Sequence, residues 1–203
     1  MNPMDISREQ AVKVEVLILV DDYSGFTNLL AEHGFSALVV IKYEDGKIYR
    51  VLVDSGRSGK VLIENSSIIR VDLKSVDSIV LSHRHYDHTG GLSSLVGVLK
   101  DKPIIAHPDI LKPCYSESRG FKRFNVGLTI NTKKVLQDFE LVLVKNSLEL
   151  ALGVWFLGEV ERYYDNSYAI KDFKTIKNNE LVNDYMLDDT GIAVRIGNKA
   201  LVI

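Results

Sequence analysis

A mixed α/β layered domain is the fold class that this sequence predicts, and three observations carry it. The chain opens with β-rich runs: residues 12–20, 36–43 and 47–53 are dominated by Val, Ile and Leu. Helix-like and strand-like stretches then alternate, with 58–70 helical, 76–81 extended, 92–100 helical and 103–106 extended. Finally, Gly90-Gly91 leads from a turn after the apolar run Ser78-Ile79-Val80-Leu81 directly into the helix at 92–100.

The first run, 12–20, contains neither Gly nor Pro and reads as a strand. Asp21-Asp22-Tyr23-Ser24-Gly25 is turn chemistry, and 27–33 is either a short helix or an ordered loop. Glu44-Asp45-Gly46 separates two β-rich runs, and Asp-Gly in that position signals a hairpin. Residues 112–138 are less regular. Within them Ser116-Glu117-Ser118-Arg119-Gly120-Phe121-Lys122-Arg123 is a polar loop with three basic residues. It is either a solvated loop or a lid approaching a phosphate-bearing substrate, whose oxygens suit arginine geometry. Residues 139–144, 147–150 and 153–157 read as further strands. A last hairpin, 191–196 with 199–203, turns at Gly197-Asn198.

With 203 residues and 46% hydrophobic content, the chain can bury one substantial core. A single domain over 1–203 is expected. A net charge of −2, from 25 basic and 27 acidic residues, makes no case for nucleic acid or a membrane surface. One cysteine, Cys114, rules out an intrachain disulfide and gives no sign of an oxidising compartment. The first ten residues lack the apolar core of a signal peptide. No apolar run approaches membrane-spanning length. A cytoplasmic enzyme with a small-molecule substrate is the expectation.

The most informative run is Ser82-His83-Arg84-His85-Tyr86-Asp87-His88-Thr89-Gly90-Gly91. It places three of the chain's five histidines and an aspartate within six residues, after a buried strand that can aim them into one cleft. Imidazole nitrogens and a carboxylate are the donors that borderline divalent metals prefer. Zinc is expected, with manganese, iron or magnesium as alternatives. The spacing suits two adjacent ions, one on His83 and His85, the other on Asp87 and His88. Asp87 also suits the N-cap of the following helix.

This run resembles the signature of the metallo-β-lactamase-fold superfamily. Val51-Leu52-Val53-Asp54-Ser55-Gly56 resembles the superfamily's strand ending in Asp-Ser-Gly. Asp21-Asp22-Tyr23-Ser24-Gly25-Phe26, Ala31-Glu32-His33-Gly34-Phe35-Ser36 and Ile104-Ile105-Ala106-His107-Pro108-Asp109 are similar to the dihydropteroate-synthase-like branch. That branch includes a pterin-ribofuranosylaminobenzene-phosphate synthase of methanopterin biosynthesis. Residues 16–110 carry the strong resemblance. It implies an αββα sandwich and a two-metal site completed by later ligands: a third ligand to the first ion, a bridging carboxylate and a last histidine.

Glu159, after Val154-Trp155-Phe156-Leu157-Gly158, stands where the resemblance places the third ligand. It would bind metal or a metal-held water, or else be a solvated acid at a strand end. Asp188-Asp189-Thr190-Gly191-Ile192-Ala193-Val194 resembles the branch's acidic run before a hairpin. Related chains continue past the position of Ile203 into a Gly-Cys-Ser-His-Ala-Gly-like turn. The resemblance therefore implies that the second half of the sandwich is incomplete here. An apolar last strand would then be covered by a second copy or a complementing C-terminal half.

Among the remaining candidates, Asp54 either orients a ligand imidazole through its second nitrogen or serves a local turn. His33, Asp22 and His107 either line the cleft or play local roles. Arg84 and Tyr86 sit between ligands, where one of them contacts substrate. Trp155, flanked by apolar residues, is expected in the core.

With a complete site, two ions about 3.5 Å apart hold a bridging water and bring its pKa toward neutrality for attack on an ester or phosphoester. Asp87 would orient that nucleophile. The synthase-like alternative uses the ions to hold a diphosphate leaving group while a pterin methyl group moves to an aromatic substrate. A third expectation is a non-catalytic remnant or a subunit that needs a partner half.

Overall fold

The computed structural model describes residues 10–25, 28–117, 124–162 and 172–203. β1 (Ala11–Val20), β2 (Ser36–Tyr43) and β3 (Ile48–Val53) form an antiparallel meander. The β2–β3 turn is the Asp-Gly hairpin expected from sequence. Gly46 takes φ +86°, where a glycine is favoured, and its N–H donates to the Tyr43 carbonyl at 3.0 Å.

The chain then changes to parallel pairing, which needs crossovers that helices supply. α1 (Lys60–Ile68) leads to β4 (Ser78–Val80). The short α2 (Tyr86–Thr89) and α3 (Leu92–Leu99) lead to β5 (Ile104–Ala106). β6 (Tyr115–Ser116), β7 (Phe124–Asn125) and α4 (Ile130–Val135) precede β8 (Leu141–Leu143). One six-stranded sheet results, in the order β1-β2-β3-β4-β5-β8. The chain continues through β9 (Leu148–Ala151), β10 (Val154–Phe156), β11 (Phe173–Lys177), β12 (Glu180–Asn183), β13 (Ile192–Ile196) and β14 (Lys199–Val202). A second sheet has the order β14-β13-β10-β9, and a small third sheet the order β12-β11-β6-β7.

Alternation along the strands divides the interior in two, because successive side chains leave opposite faces of a sheet. Leu38, Leu52, Ile79 and Ile104 pack with Leu62, Leu92, Leu95 and Leu99 of the helices. Val39, Val51, Val53, Val80 and Ile105 pack instead with Val154, Phe156, Ile192 and Val194 of the second sheet. The first sheet is therefore apolar on both faces, as its near-continuous Val/Ile/Leu runs require. The layers run helix, sheet, sheet. Among the described residues no helix contributes to the second core.

Several details settle or depart from the sequence expectations. Residues 28–33, left open between a short helix and an ordered loop, form the loop; Thr27 lies outside the described residues. Asn65 ties that loop down, with its amide donating to the carbonyls of Leu19 and Leu30 at 2.8 and 2.9 Å. Trp155 is not in the core. It alternates with buried Val154 and Phe156, so it lies half-buried on the outer face of the second sheet, with Arg195 over its ring at 5.9 Å. Asp87 lies inside the first turn of α2, whose N-cap residue is His85, so it caps neither that helix nor α3, which begins after Gly91. Gly91 is required for close approach: a Cβ there would fall 1.9 Å from the Ser55 carbonyl oxygen. The polar loop's residues 118–123 lie outside the described residues. No described helix is long and apolar enough to cross a membrane.

Arg84 binds the two halves of the chain. It is 1% exposed, its guanidinium pairs with Asp184 and Asp188, and its backbone N–H donates to Asp188 Oδ2 at 2.9 Å. Of the two residues between ligands, Arg84 and Tyr86, Arg84 is therefore a structural anchor. Both aspartates are buried. Removing one partner of a buried ion pair leaves uncompensated charge and costs about 3–5 kcal/mol. Arg84→Met should lose stability of that order in urea unfolding. A loss under 1 kcal/mol would show that the cluster does not anchor the fold.

Candidate metal centre

The carboxyl ends of the parallel strands β3, β4, β5 and β8 all open on one edge of the first sheet, where open α/β sheets place their sites. Asp54 follows β3, Ser82 and His83 follow β4, and His107 follows β5. Glu159 follows β10, and its N–H donates to the Lys145 carbonyl beyond β8 at 2.7 Å. The segment before β13 reaches the same edge, where Thr190 N–H donates to the Ser82 carbonyl at 3.0 Å.

Asp54 is the hub. It is buried and takes φ +56°, a left-handed conformation uncommon for a non-glycine residue. Its carboxylate accepts from Ser82 N–H at 2.8 Å, Ser82 Oγ at 2.6 Å and His88 Nδ1 at 2.7 Å. Ser82 Oγ spends its proton on Asp54, so it accepts from His83 Nδ1 at 2.9 Å. Both imidazoles thus carry a proton on Nδ1 and leave the Nε2 lone pair unprotonated. His85 is held from the other side, with Nε2 3.5 Å from Cys114 Sγ and the Phe173 ring 4.7 Å away. Burial pushes the Cys114 thiol up to about 12, and nearby Asp184 acts in the same direction. The sulfur therefore remains a thiol, able to accept from His85 Nε2–H and leave Nδ1 unprotonated.

The His83 and His85 rings stand 4.7 Å apart, centre to centre, and those of His83 and His88 4.1 Å apart. Burial holds the pKa of His83 well down, with the neighbouring imidazoles adding to it, and burial also lowers that of His85. Both are neutral imidazoles, the form that binds metals. For His88, burial is outweighed by the hydrogen bond and charge of Asp54, and its pKa is raised. Asp87 Oδ2 lies 3.6 Å from His88 Nε2 and 3.5 Å from His33 Nε2. His33 in turn pairs through Nδ1 with Asp22 at 3.1 Å.

The donors suit a divalent cation in kind and in tautomer. Among the described residues, however, no group of three or more His, Cys, Asp or Glu side chains is arranged to hold one ion. The structure does bring His83, His85, Asp87 and His88 into one cluster, with Asp54 orienting two of them. His33 and Asp22 join the cluster through Asp87. His107 and Glu159 form a separate pair, Nε2 to Oε2 at 3.4 Å, at the same edge. Tyr86 packs beside Cys114, Val126 and Met186, with Arg57 over its ring at 5.4 Å.

Two participants were not singled out as site residues from sequence. Cys114 appeared only in the compartment argument, and nothing in sequence links it to a histidine 29 positions away. Asp189, in the acidic run before β13, has its pKa raised by burial and lies within electrostatic reach of His88 and Asp54. That acidic run was its one available signal.

Residues 32–165 match the metallo-beta-lactamase superfamily. The chain is 30% identical over 201 residues to the 7,8-dihydropterin-6-methyl-4-(beta-D-ribofuranosyl)-aminobenzene-5'-phosphate synthase of Methanocaldococcus jannaschii, covering 94% of this chain and 66% of that one. It is 31% identical over 176 residues to an uncharacterized protein of the same organism, covering 86% of this chain and 63% of that one. A crystal structure of a metal-dependent hydrolase of the beta-lactamase superfamily superposes with TM-score 0.71 at 26% identity, covering 94% of this chain and 64% of that one. The chain thus spans just under two thirds of the length of each relative. With the family match covering well over half the chain, and the histidine cluster inside the matched region, this protein belongs to the metallo-β-lactamase superfamily.

Proposed function

We propose that this chain is a metal-dependent enzyme that hydrolyses an ester or phosphoester bond in a small molecule. One observation carries the proposal: a single buried carboxylate, Asp54, fixes His88 directly and His83 through Ser82, so that both present an unprotonated Nε2. Such carboxylate–histidine pairs orient metal ligands and raise their basicity. His83, His85, Asp87 and His88 would hold the cation, with zinc the best match to imidazole and carboxylate donors. A bound divalent cation supplies the positive charge that polarises an ester and makes water acidic near neutral pH.

The chain's own groups do the rest. Asp87 lies between His33 and His88, at 3.5 and 3.6 Å, and would orient the attacking water and accept its proton. His33, half exposed and backed by Asp22, is in reach to pass that proton toward solvent. Asp54 is buried and His83 and His85 are half-buried, which limits competing water around the cluster.

A second reading is supported by the 30% identity that extends over 94% of the chain. Through the cation, the same residues would hold the diphosphate of a dihydropterin-methyl diphosphate while its methylene carbon bonds to an aromatic acceptor, the carbon–oxygen bond to diphosphate breaks and the acceptor gives up a proton. The two readings differ in whether water or an aromatic substrate attacks.

Metal content after mild dialysis should fall to background in His83→Ala/His85→Ala, while wild type retains zinc. Equal content in both proteins would end the assignment. Acid should strip the metal, because a proton on His88 removes its lone pair. Since the pKa of His88 is raised, the loss of zinc affinity should begin at a higher pH than it would with an unshifted imidazole. In Asp54→Asn, where the raising carboxylate is gone, it should begin at lower pH, as zinc titrations against pH would show. With zinc or manganese supplied, a phosphodiester panel and a dihydropterin diphosphate with and without aromatic acceptor should separate the readings. Hydrolysis releases products without acceptor, whereas diphosphate release that depends on acceptor supports transfer. Asp87→Asn should lower either rate about 100-fold or more.

A further inference from the structure

His107 is a buried titratable group at this edge for which the proposed chemistry has no use. Its ring is wholly buried at the end of β5. Leu81 N–H donates to the Ile105 carbonyl at 3.0 Å, which sets His107 about one strand spacing, roughly 4.8 Å, from the backbone of Ser82 and His83. Asp109 N–H donates to His107 Nδ1 at 3.1 Å. A neutral imidazole that accepts at Nδ1 carries its proton on Nε2. His107 therefore cannot itself ligate a cation through Nε2.

Among the described residues that Nε2 has no hydrogen-bond partner, and Glu159 Oε2 lies 3.4 Å away. An apolar side chain would fill the same space without a buried N–H left unpaired. The backbone of Glu159 is pinned. Its N–H donates to the Lys145 carbonyl, and Gly158 before it takes φ +73°, where a Cβ would meet the Lys145 oxygen at 2.3 Å. The side chain keeps its freedom, with the half-exposed carboxylate between His107 and Lys145 Nζ, the latter at 3.9 Å.

Building on the metal-dependent function above, we propose that His107 is a positioning residue: its Nε2–H turns the Glu159 carboxylate toward the histidine cluster as a further protein donor to the cation. The two residues then act as one unit, and removing either should cost the same interaction. Partners that orient metal ligands typically change affinity about tenfold or more when removed.

Zinc titration of metal-free protein tests this. Glu159→Gln and His107→Phe should each weaken zinc binding about tenfold, and the double variant should be no weaker than Glu159→Gln alone. His107→Gln, which keeps an N–H near the same place, should recover most of the loss. Nitrogen NMR of the metal-free protein adds a readout that needs no core substitution. His107 should appear as the Nε2–H tautomer, and its Nε2–H signal should move in Glu159→Gln. Zinc binding unchanged in His107→Phe, losses that multiply in the double variant, or a signal that stays in place would each overturn the proposal. If His107→Phe does not fold, the Glu159→Gln spectrum and the His107→Gln titration decide. Wild type that takes up no zinc would overturn the metal-dependent reading itself, whereas wild-type uptake with an unaltered His107→Phe overturns the positioning role alone.

Discussion

Everything at the candidate site depends on how Asp54 is held. Its carboxylate is buried at the end of a central strand, in a backbone conformation that L-residues avoid. Such strain persists only when the surroundings over-determine it. Here the surroundings are the Ser82 backbone, the Ser82 hydroxyl and His88, all on the neighbouring strand end or the loop that follows it. One carboxylate thereby sets the ring orientation and tautomer of two histidines, and the sheet below sets the carboxylate. These two histidines need no long-range device to be set, only two adjacent parallel strands in register.

The third histidine is governed differently. His85 is braced by Cys114 and Phe173, which belong to the region of the small third sheet. The cluster thus has two supports of different origin. His83 and His88 lean on the first sheet, while His85 leans on segments that arrive later in the chain. Arg84, between His83 and His85, joins the two supports through Asp184 and Asp188.

Local signals were legible in the sequence, and signals that depend on long-range pairing were not. The Asp-Gly hairpin, the doubly apolar strands and the histidine run are each written within about ten residues, and the structure shows those elements where the sequence placed them. The third sheet escaped because β6 and β7 are two residues long, and their pairing is set by contacts across the chain. The β11–β12 hairpin was legible after all. Asn178 and Asn179, both at positive φ, form the two-residue turn that Asn favours between β-rich runs. The anchoring role of Arg84 was not legible, because by position alone either Arg84 or Tyr86 could contact substrate. Its carboxylate partners lie 100 and 104 residues away, beyond the reach of any pattern. Trp155 was misplaced because flanking apolar residues say nothing of which face an alternating strand turns inward.

The separation between Arg84 and its partners has a consequence for the order in which the molecule matures. On the ribosome, Arg84 emerges 100 residues before Asp184. All six strands of the first sheet are synthesised before either aspartate appears. In that interval the nascent sheet must keep a guanidinium hydrated at the place where the mature protein buries it. His85 also waits, because Phe173 has not yet been made. The segment between His83 and His85 therefore reaches its final contacts only once the acidic arm has been made. The sheet is an early product of synthesis, and a finished histidine cluster is a late one.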